Sequence, residues 1–181
     1  LDLTHPLTEA KTVALRQALL QHLLLVFPEQ YLTAGQLVDF CRCFGPITRH
    51  ILDQFYHPED HDLCIISNVL ESGKGRATVG SAGSYWHSDL SYLAEPAETS
   101  MLYAIEVPET GGDTLFCNMY TAYEELPEAM RSRIAGLTAV HNIMSGTGAD
   151  SKVPLTEAQR AKVPDAIHPI VQRHPETGRE A

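Results

Sequence analysis

The sequence predicts an α+β protein that is mainly β, with helices flanking a strand-rich centre. Helical patterns dominate the first quarter of the 181 residues, and runs typical of strands dominate the middle. These elements do not alternate regularly, which argues against a parallel sheet built from βαβ units. The hydrophobic fraction of 44% and the charged fraction of 20% are ordinary for a globular protein. The length fits one domain over residues 1–181.

The predicted helices begin at residues that can act as N-caps. Thr8 precedes a helix with an apolar stripe, and Thr33 opens a second helix with the capping-box pattern Thr-Ala-Gly-Gln. Gly45, followed by proline, ends that second helix. Helix signals also cover residues 121–135, and Thr156 starts a short last helix.

Seven runs with strand-like composition provide the β part of the prediction. They cover residues 23–27, 63–69, 84–92, 99–107, 114–118, 137–143 and 167–173. Glycine-containing loops are predicted at 71–83 and 145–154. The last run leads into a Pro-Glu-Thr-Gly turn, after which a partner strand is expected. An unpaired strand would expose its edge, so we predict that the fold is incomplete at the C-terminus of this chain.

The charge and the cysteine pattern exclude some classes of function. A formal net charge of −10 argues against a nucleic-acid partner, and it means that an anionic ligand needs a local positive group. No apolar run approaches the length of a membrane span. The four cysteines form no disulfide framework, which predicts a reducing, cytoplasmic location. The sequence leaves the oligomeric state open, with a homo-oligomer as one arrangement.

Three histidines are followed two residues later by an acidic residue. The three pairs are His57/Glu59, His87/Asp89 and His174/Glu176. Proline lies at the centre of the first and third, which favours turns there. Only His87/Asp89 lies in a β-prone setting, where residues i and i+2 share one face of a strand. An imidazole beside a carboxylate provides two thirds of a 2-His-1-carboxylate Fe(II) site. The alternative is an ordinary surface histidine and aspartate.

The segments around this pair carry a resemblance to a known family. They are Phe44-Gly45-Pro46, Ile66-Ser67-Asn68-Val69, Trp86-His87-Ser88-Asp89, Gly111-Gly112-Asp113-Thr114 and His168-Pro169-Ile170-Val171. In this order and spacing they resemble the TauD/TfdA family of Fe(II)- and 2-oxoglutarate-dependent dioxygenases. The resemblance covers nearly the whole chain. It implies a double-stranded β-helix, or jelly roll, flanked by helices.

The resemblance also implies roles for individual residues. His87 and Asp89 become iron ligands, and Thr114 becomes the residue that holds a carboxylate of 2-oxoglutarate. Trp86 is expected to pack in the core behind the metal strand. The family's second histidine ligand and its 2-oxoglutarate-binding arginine would follow Ala181. Three other histidines are not expected to bind metal, namely His141, His168 and His174.

The expected activity is hydroxylation of a small anionic organic substrate, with O2 consumed and succinate and CO2 formed. Sulfonates, alkyl sulfates and aryloxyalkanoates are the substrate types that the resemblance implies. Asn68 and Tyr92 could face the substrate pocket or serve only packing and surface roles, and residues 72–83 could form a lid. Two alternatives remain: a non-catalytic jelly-roll binding module with a degenerate metal site, and a cupin-like isomerase or hydrolase that uses another metal.

Overall fold

The computed structural model describes residues 1–67, 70–71, 74–75, 85–143 and 155–181. The helices are α1 (Glu9–His22), α2 (Ala34–Arg42), α3 (Met119–Glu124), α4 (Glu128–Ile134) and α5 (Glu157–Lys162), with a 3-10 turn at Asp53–Phe55. The strands are β1 (Leu70–Glu71), β2 (Lys74–Gly75), β3 (Thr138–His141) and β4 (Ala166–Pro169). They form two separate antiparallel pairs, β1 with β2 and β3 with β4.

The predicted N-caps are confirmed. The hydroxyl of Thr8 accepts a hydrogen bond from the Lys11 amide at the start of α1. Thr33 at α2 and Thr156 at α5 each form a complete capping box with the glutamine three residues later. Each cap satisfies an amide that would otherwise lack a partner in the first helical turn. Local side-chain chemistry therefore fixes where these helices begin.

The predicted helix over residues 121–135 is two helices. The side chain of Asn118 caps α3, and Pro127 occupies the N-cap of α4. Proline has no amide hydrogen to donate, so it cannot continue the first helix. The start of the next helix does not need that hydrogen, so proline is compatible with it. Gly136, with a φ of 72°, follows the end of α4 as predicted. This left-handed conformation suits glycine because it has no Cβ.

Strand β3 confirms the prediction for residues 137–143, and β4 confirms the beginning of the one at 167–173. Strand β4 ends at Pro169, which cannot donate to a neighbouring strand. The partner expected after the last turn begins as predicted. Arg173 forms an antiparallel bridge with Glu180, and Gly178 adopts a φ of 68° between them.

Four predicted strands do not form in the described part of the chain. Residues 23–27, 85–92, 99–107 and 114–118 form turns and irregular backbone. A strand requires a neighbour that takes up its amide and carbonyl groups, and a β-prone composition does not provide one. For the predicted strand at 63–69, the described residues form bridges only, at Cys64, which pairs with Tyr56, and at Ile66. Residues 68–69, most of 71–83 and all of 145–154 lie outside the described residues.

The described chain has a small core around α2. Val38 and Phe40 of this helix are buried, and the Phe40 ring makes edge-to-face contacts with Phe27 and Phe44. Within α1, by contrast, no residue is fully buried. Of the helices in the described ranges, none has both the length and the apolar character to cross a membrane.

Large apolar side chains remain exposed along the irregular middle of the chain. They include Leu102, Ile105, Val107, Leu115 and Phe116. The expectation of a core role for Trp86 is wrong here, since its side chain is 68% exposed. No strand forms at this position, so the indole has no sheet to pack behind. The described residues thus form helices and two small sheets, and they do not by themselves close a jelly roll.

Candidate metal centre

The three His-x-acid pairs differ in what their ring nitrogens contact. Nδ1 of His57 lies 3.2 Å from the Glu59 amide, and Nδ1 of His174 lies 3.2 Å from the Glu176 amide. Both imidazoles therefore accept hydrogen bonds within their own proline turns, as the sequence predicts for turn-forming segments. The His87 ring has a different partner, and it alone of the three directs a nitrogen at its paired carboxylate.

Nδ1 of His87 lies 2.9 Å from the carbonyl oxygen of Tyr85. A carbonyl only accepts, so this contact requires the proton on Nδ1. In the neutral ring, Nε2 then carries a lone pair, and it lies 3.3 Å from Oδ1 of Asp89. Metal-binding histidines commonly have this arrangement, in which one nitrogen donates to a carbonyl and the other binds the ion.

The separation between these two atoms fits a shared cation. Nε2 of His87 and Oδ1 of Asp89 are both acceptors, so they repel each other unless a proton or a metal ion lies between them. Bonds of about 2.1 Å place two ligands about 3.0 Å apart at an octahedral angle of 90° and about 3.4 Å apart at the tetrahedral angle. Both side chains are accessible, at 42% for His87 and 53% for Asp89. The donor set, one imidazole and one carboxylate, suits a first-row transition metal.

This pair lies in irregular backbone, although the sequence predicts a strand there. Leu90, directly after Asp89, has a left-handed φ of 54°, and the Leu93 amide donates to the Leu90 carbonyl at 2.9 Å. A tight turn therefore follows Asp89. His87 and Asp89 lie side by side on one surface, as the sequence predicts, although the backbone between them is irregular and not a pleated strand.

Within the described residues, no cluster of three or more His, Cys, Asp or Glu side chains could hold a metal ion. His168 lies elsewhere, with Nε2 2.9 Å from the Leu93 carbonyl and its ring 5.0 Å from that of His141. Nδ1 of His174 accepts a hydrogen bond within its own proline turn, as described above. That these three histidines are not metal ligands stays a prediction.

Thr114 lies in an exposed, irregular segment just after a Gly-Gly turn. Gly111 and Gly112 have φ values of 77° and 74°, which allow the sharp reversal after Pro108. In the described part of the chain, no hydrogen bond joins Thr114 to His87 or Asp89. The assignment of Thr114 to 2-oxoglutarate therefore remains a prediction.

Tyr92 lies on the far side of the turn that follows Asp89. Its hydroxyl is buried and has no hydrogen-bond partner of normal geometry in the described residues, although the Ile51 main chain is close enough to lower the pKa slightly. Burial dominates and raises the pKa of Tyr92 to about 12. The side chain is therefore a neutral phenol at physiological pH. Asn68, the other predicted substrate residue, lies outside the described residues.

His50 is a site neighbour that the sequence does not reveal. Its ring contacts the Tyr92 ring edge-on, with a centroid separation of 6.2 Å. Burial lowers the pKa of His50, while the negative charge of Asp89 acts in the opposite direction. The residue lies in a segment without periodicity or a metal-ligand motif, so no sequence signal marks it. Only the fold brings it within electrostatic reach of Asp89.

A cavity of about 320 Å3 lies between the His50 segment, the turn after Asp89 and helix α5. Its lining includes the polar side chains of Arg49, His50, Tyr92, Gln159 and Lys162. Nε of Arg49 lies 2.7 Å from Oδ1 of Asp62, so this guanidinium is partly neutralised. Lys162 adds a second cationic group. Asp53 also lines the cavity, so its lining carries charges of both signs.

Comparison with known proteins identifies the relatives of this chain. The model of the family described as "Taurine catabolism dioxygenase TauD, TfdA family" matches residues 1–181. The α-ketoglutarate-dependent 2,4-dichlorophenoxyacetate dioxygenase of Cupriavidus pinatubonensis is 34% identical over 99% of this chain and 66% of its own length.

Two solved structures have the same fold over the whole chain. A taurine dioxygenase from Burkholderia xenovorans is 31% identical, with a TM-score of 0.74 over 100% of this chain and 56% of its own. AAD-2, solved in complex with Mn(II) and N-oxalylglycine, is 26% identical, with a TM-score of 0.74 over 100% of this chain and 61% of its own. This chain thus spans about two thirds or less of the length of these relatives. With the family model matched from the first residue to the last, the chain belongs to the TauD/TfdA family.

Proposed function

We propose that this chain forms the metal-binding part of an Fe(II)- and 2-oxoglutarate-dependent dioxygenase that hydroxylates a small anionic organic substrate. The observation that carries the proposal is the convergence of His87 Nε2 and Asp89 Oδ1, two acceptors 3.3 Å apart. The close approach of two such acceptors on one accessible surface is favourable when they share a cation. The family relationship selects iron among the candidate cations.

Each residue of the pair has a distinct task in this proposal. The Tyr85 carbonyl fixes the His87 ring so that Nε2 remains free to bind the metal. The Asp89 carboxylate binds beside it and offsets one positive charge. Bound Fe(II), with 2-oxoglutarate and O2, supplies the oxidation, and succinate and CO2 are the co-products. The third protein ligand and the arginine for 2-oxoglutarate would come from the part of a family-length protein that these residues do not include.

Thr114 is the proposed contact for a 2-oxoglutarate carboxylate. Its hydroxyl can donate one hydrogen bond, and it is exposed beyond the Gly111-Gly112 turn, where no described side chain competes for it. Hydroxyl groups contribute less to anion binding than a bidentate arginine does. We therefore assign Thr114 an orienting role and expect it to matter mainly for 2-oxoglutarate affinity.

The cavity lined by His50 and Tyr92 is the proposed substrate site. Lys162 on its lining offers positive charge to a sulfonate, an alkyl sulfate or an aryloxyalkanoate. The raised pKa of Tyr92, about 12, keeps its phenol neutral, so it does not repel an anion. The Tyr92 ring offers an apolar face to the carbon skeleton. Asn68, as a second substrate residue, rests on the sequence alone.

The test is substrate-dependent succinate release by the full-length protein, supplied with Fe(II), 2-oxoglutarate and a panel of the three substrate types. His87→Ala and Asp89→Ala should each reduce turnover by at least about 100-fold, because a metal ligand is lost. His57→Ala is the matched control, since it removes the imidazole of a look-alike pair that serves only a turn. Turnover that is undiminished in His87→Ala would contradict the proposal. Binding of 2-oxoglutarate without turnover of any substrate would favour the non-catalytic module instead.

A further inference from the structure

We propose that His168 is a positioning residue for the metal pair, because its imidazole anchors the turn that begins at Asp89. This inference rests on the proposed function, since it assigns His168 a role in metal affinity. His168 is 8% exposed on strand β4, and its Nε2 lies 2.9 Å from the carbonyl oxygen of Leu93. The carbonyl only accepts, so Nε2 carries the proton and donates. The contact crosses 75 residues of sequence.

The anchored turn has a conformation that needs support from outside. The Leu93 amide donates to the Leu90 carbonyl at 2.9 Å, and Leu90 has a φ of 54°. A leucine in this left-handed region is strained by about 1–2 kcal/mol. Such a residue keeps its conformation only where the surrounding structure holds it. His168 fixes the carbonyl at one end of the turn, and Asp89 lies directly before the other end.

The donor itself is held firmly. Residue 168 pairs with Ala139 in the antiparallel register of β3 and β4, and the ring of His141 packs edge-on against the His168 ring. The imidazole therefore has little freedom to follow the loop if the loop moves. Through this contact, the sheet of β3 and β4, which lies outside the site, fixes the position of the Asp89 carboxylate relative to Nε2 of His87.

Removing the donor while keeping the ring volume isolates this contribution. His168→Phe leaves the half-buried Leu93 carbonyl without its partner, so the turn can relax and the Asp89 carboxylate can move away from the His87 imidazole. We expect Mn(II) to bind about tenfold more weakly. His168→Gln can place an amide nitrogen near the position of Nε2, so it should restore binding to near the wild-type value. His141→Phe is the matched control, since it alters the neighbouring ring and leaves the Nε2–Leu93 hydrogen bond in place.

The experiment uses the full-length protein with two measurements. The dissociation constant of Mn(II), in the presence of N-oxalylglycine, is obtained from the electron paramagnetic resonance signal of free Mn(II). Amide hydrogen exchange over residues 90–93, without metal, reports on the turn directly. We expect faster exchange and weaker Mn(II) binding in His168→Phe only. If that variant does not fold, His168→Asn, whose amide is too short to reach Leu93, provides the same comparison.

The outcomes separate this inference from the proposed function. If His168→Phe binds Mn(II) and exchanges as the wild type does, or if His141→Phe shows the same loss, His168 is not a positioning residue. If His87→Ala binds Mn(II) as tightly as the wild type, the proposed metal site is wrong. In that case the role of His168 in metal affinity fails with it, and the exchange rates still decide whether His168 anchors the turn.

Discussion

Gln159 and Asp53, 106 residues apart in sequence, are joined by a hydrogen bond of 3.1 Å from Nε2 to Oδ1. The same amide nitrogen lies 3.2 Å from the Ile51 carbonyl oxygen, and Gln159 is 8% exposed. At the other end of the side chain, Oε1 accepts from the Thr156 amide and completes the capping box of α5. One buried glutamine thus caps a helix and holds the segment that carries His50.

We predict that Gln159→Glu destabilises the protein by about 1–3 kcal/mol. Glutamate can still complete the capping box, so the cap of α5 is kept. Its second oxygen, however, faces the Ile51 carbonyl and the Asp53 carboxylate, which are acceptors as well. The loss should appear as a lower midpoint in urea unfolding at neutral pH.

Gln36→Glu is the matched control for this substitution. Gln36 completes the capping box of α2 in the same way, and its Nε2 donates to a single acceptor, the Thr4 carbonyl at 3.0 Å. Gln36 is only half-buried, so water can compensate for the lost donor. We expect the smaller effect here. Equal losses in the two variants would contradict the idea that Gln159 joins α5 to the His50 segment.

Local features of this fold are predictable from sequence, and pairing between distant segments is not. The caps at Thr8, Thr33 and Thr156 depend on contacts within three residues, and all three form as predicted. The strand predicted at 99–107 depends on a neighbour whose position no local pattern specifies. A β-prone composition shows that a segment can pair, but it does not show that the partner is present.

The candidate site also has a part that the sequence predicts and a part that it does not. The sequence identifies His87 and Asp89 and separates them from two look-alike pairs, because proline marks those pairs as turns. It does not reveal His50 or Gln159, since their importance arises from contacts across more than 40 residues. It also misjudges Trp86, whose expected core position needs a sheet that the described residues do not form.

His50 should make stability depend on pH. Burial lowers its pKa below the unfolded value of about 6.5, so the unfolded chain binds more protons as the pH falls through that value. Stability should therefore decrease between about pH 7 and about pH 5. His50→Gln should flatten this part of the profile, measured as the urea midpoint against pH. His22→Gln, at an exposed position, should not. An unchanged slope in His50→Gln would contradict the burial argument.

An ion pair between Arg16 and Glu176 connects α1 with the last turn of the chain. Its Nε lies 3.0 Å from Oε2 of Glu176, and its Nη2 lies 2.7 Å from Oε1, which is a bidentate pair. Hydrogen bonding from Arg16 is the main reason that the pKa of Glu176 is lowered. Because both side chains are more than one third exposed, we expect Arg16→Lys to cost at most about 1 kcal/mol, and less in about 1 M salt.

Arg173→Lys is the comparison for this substitution. Arg173 is 70% exposed and contacts Glu180 through Nη2 at 3.0 Å, without a bidentate arrangement. Its replacement should leave the free energy of unfolding almost unchanged. A loss as large as that of Arg16→Lys would mean that the bidentate geometry contributes nothing at this surface.

The apolar residues of the segments 99–107 and 114–118 should become buried when a family-length chain is present. Leu102, at 64% exposed, and Leu115, at 72% exposed, lie in β-prone sequence without strand partners in the described residues. The solved relatives are considerably longer than this chain. Exposed apolar runs of this kind are typical of surfaces that another segment covers. We therefore expect both segments to pair as strands in the longer protein.

Hydrogen exchange of the two segments, compared between residues 1–181 and the family-length protein, measures this directly. Protection of backbone amides should appear only in the longer chain. Leu102→Ala should destabilise the family-length protein by about 2–5 kcal/mol, the cost of emptying a buried leucine site. The same substitution should leave residues 1–181 nearly unaffected, because the side chain is already exposed to water. Equal exchange rates in the two proteins would show that these segments remain irregular, whatever their composition favours.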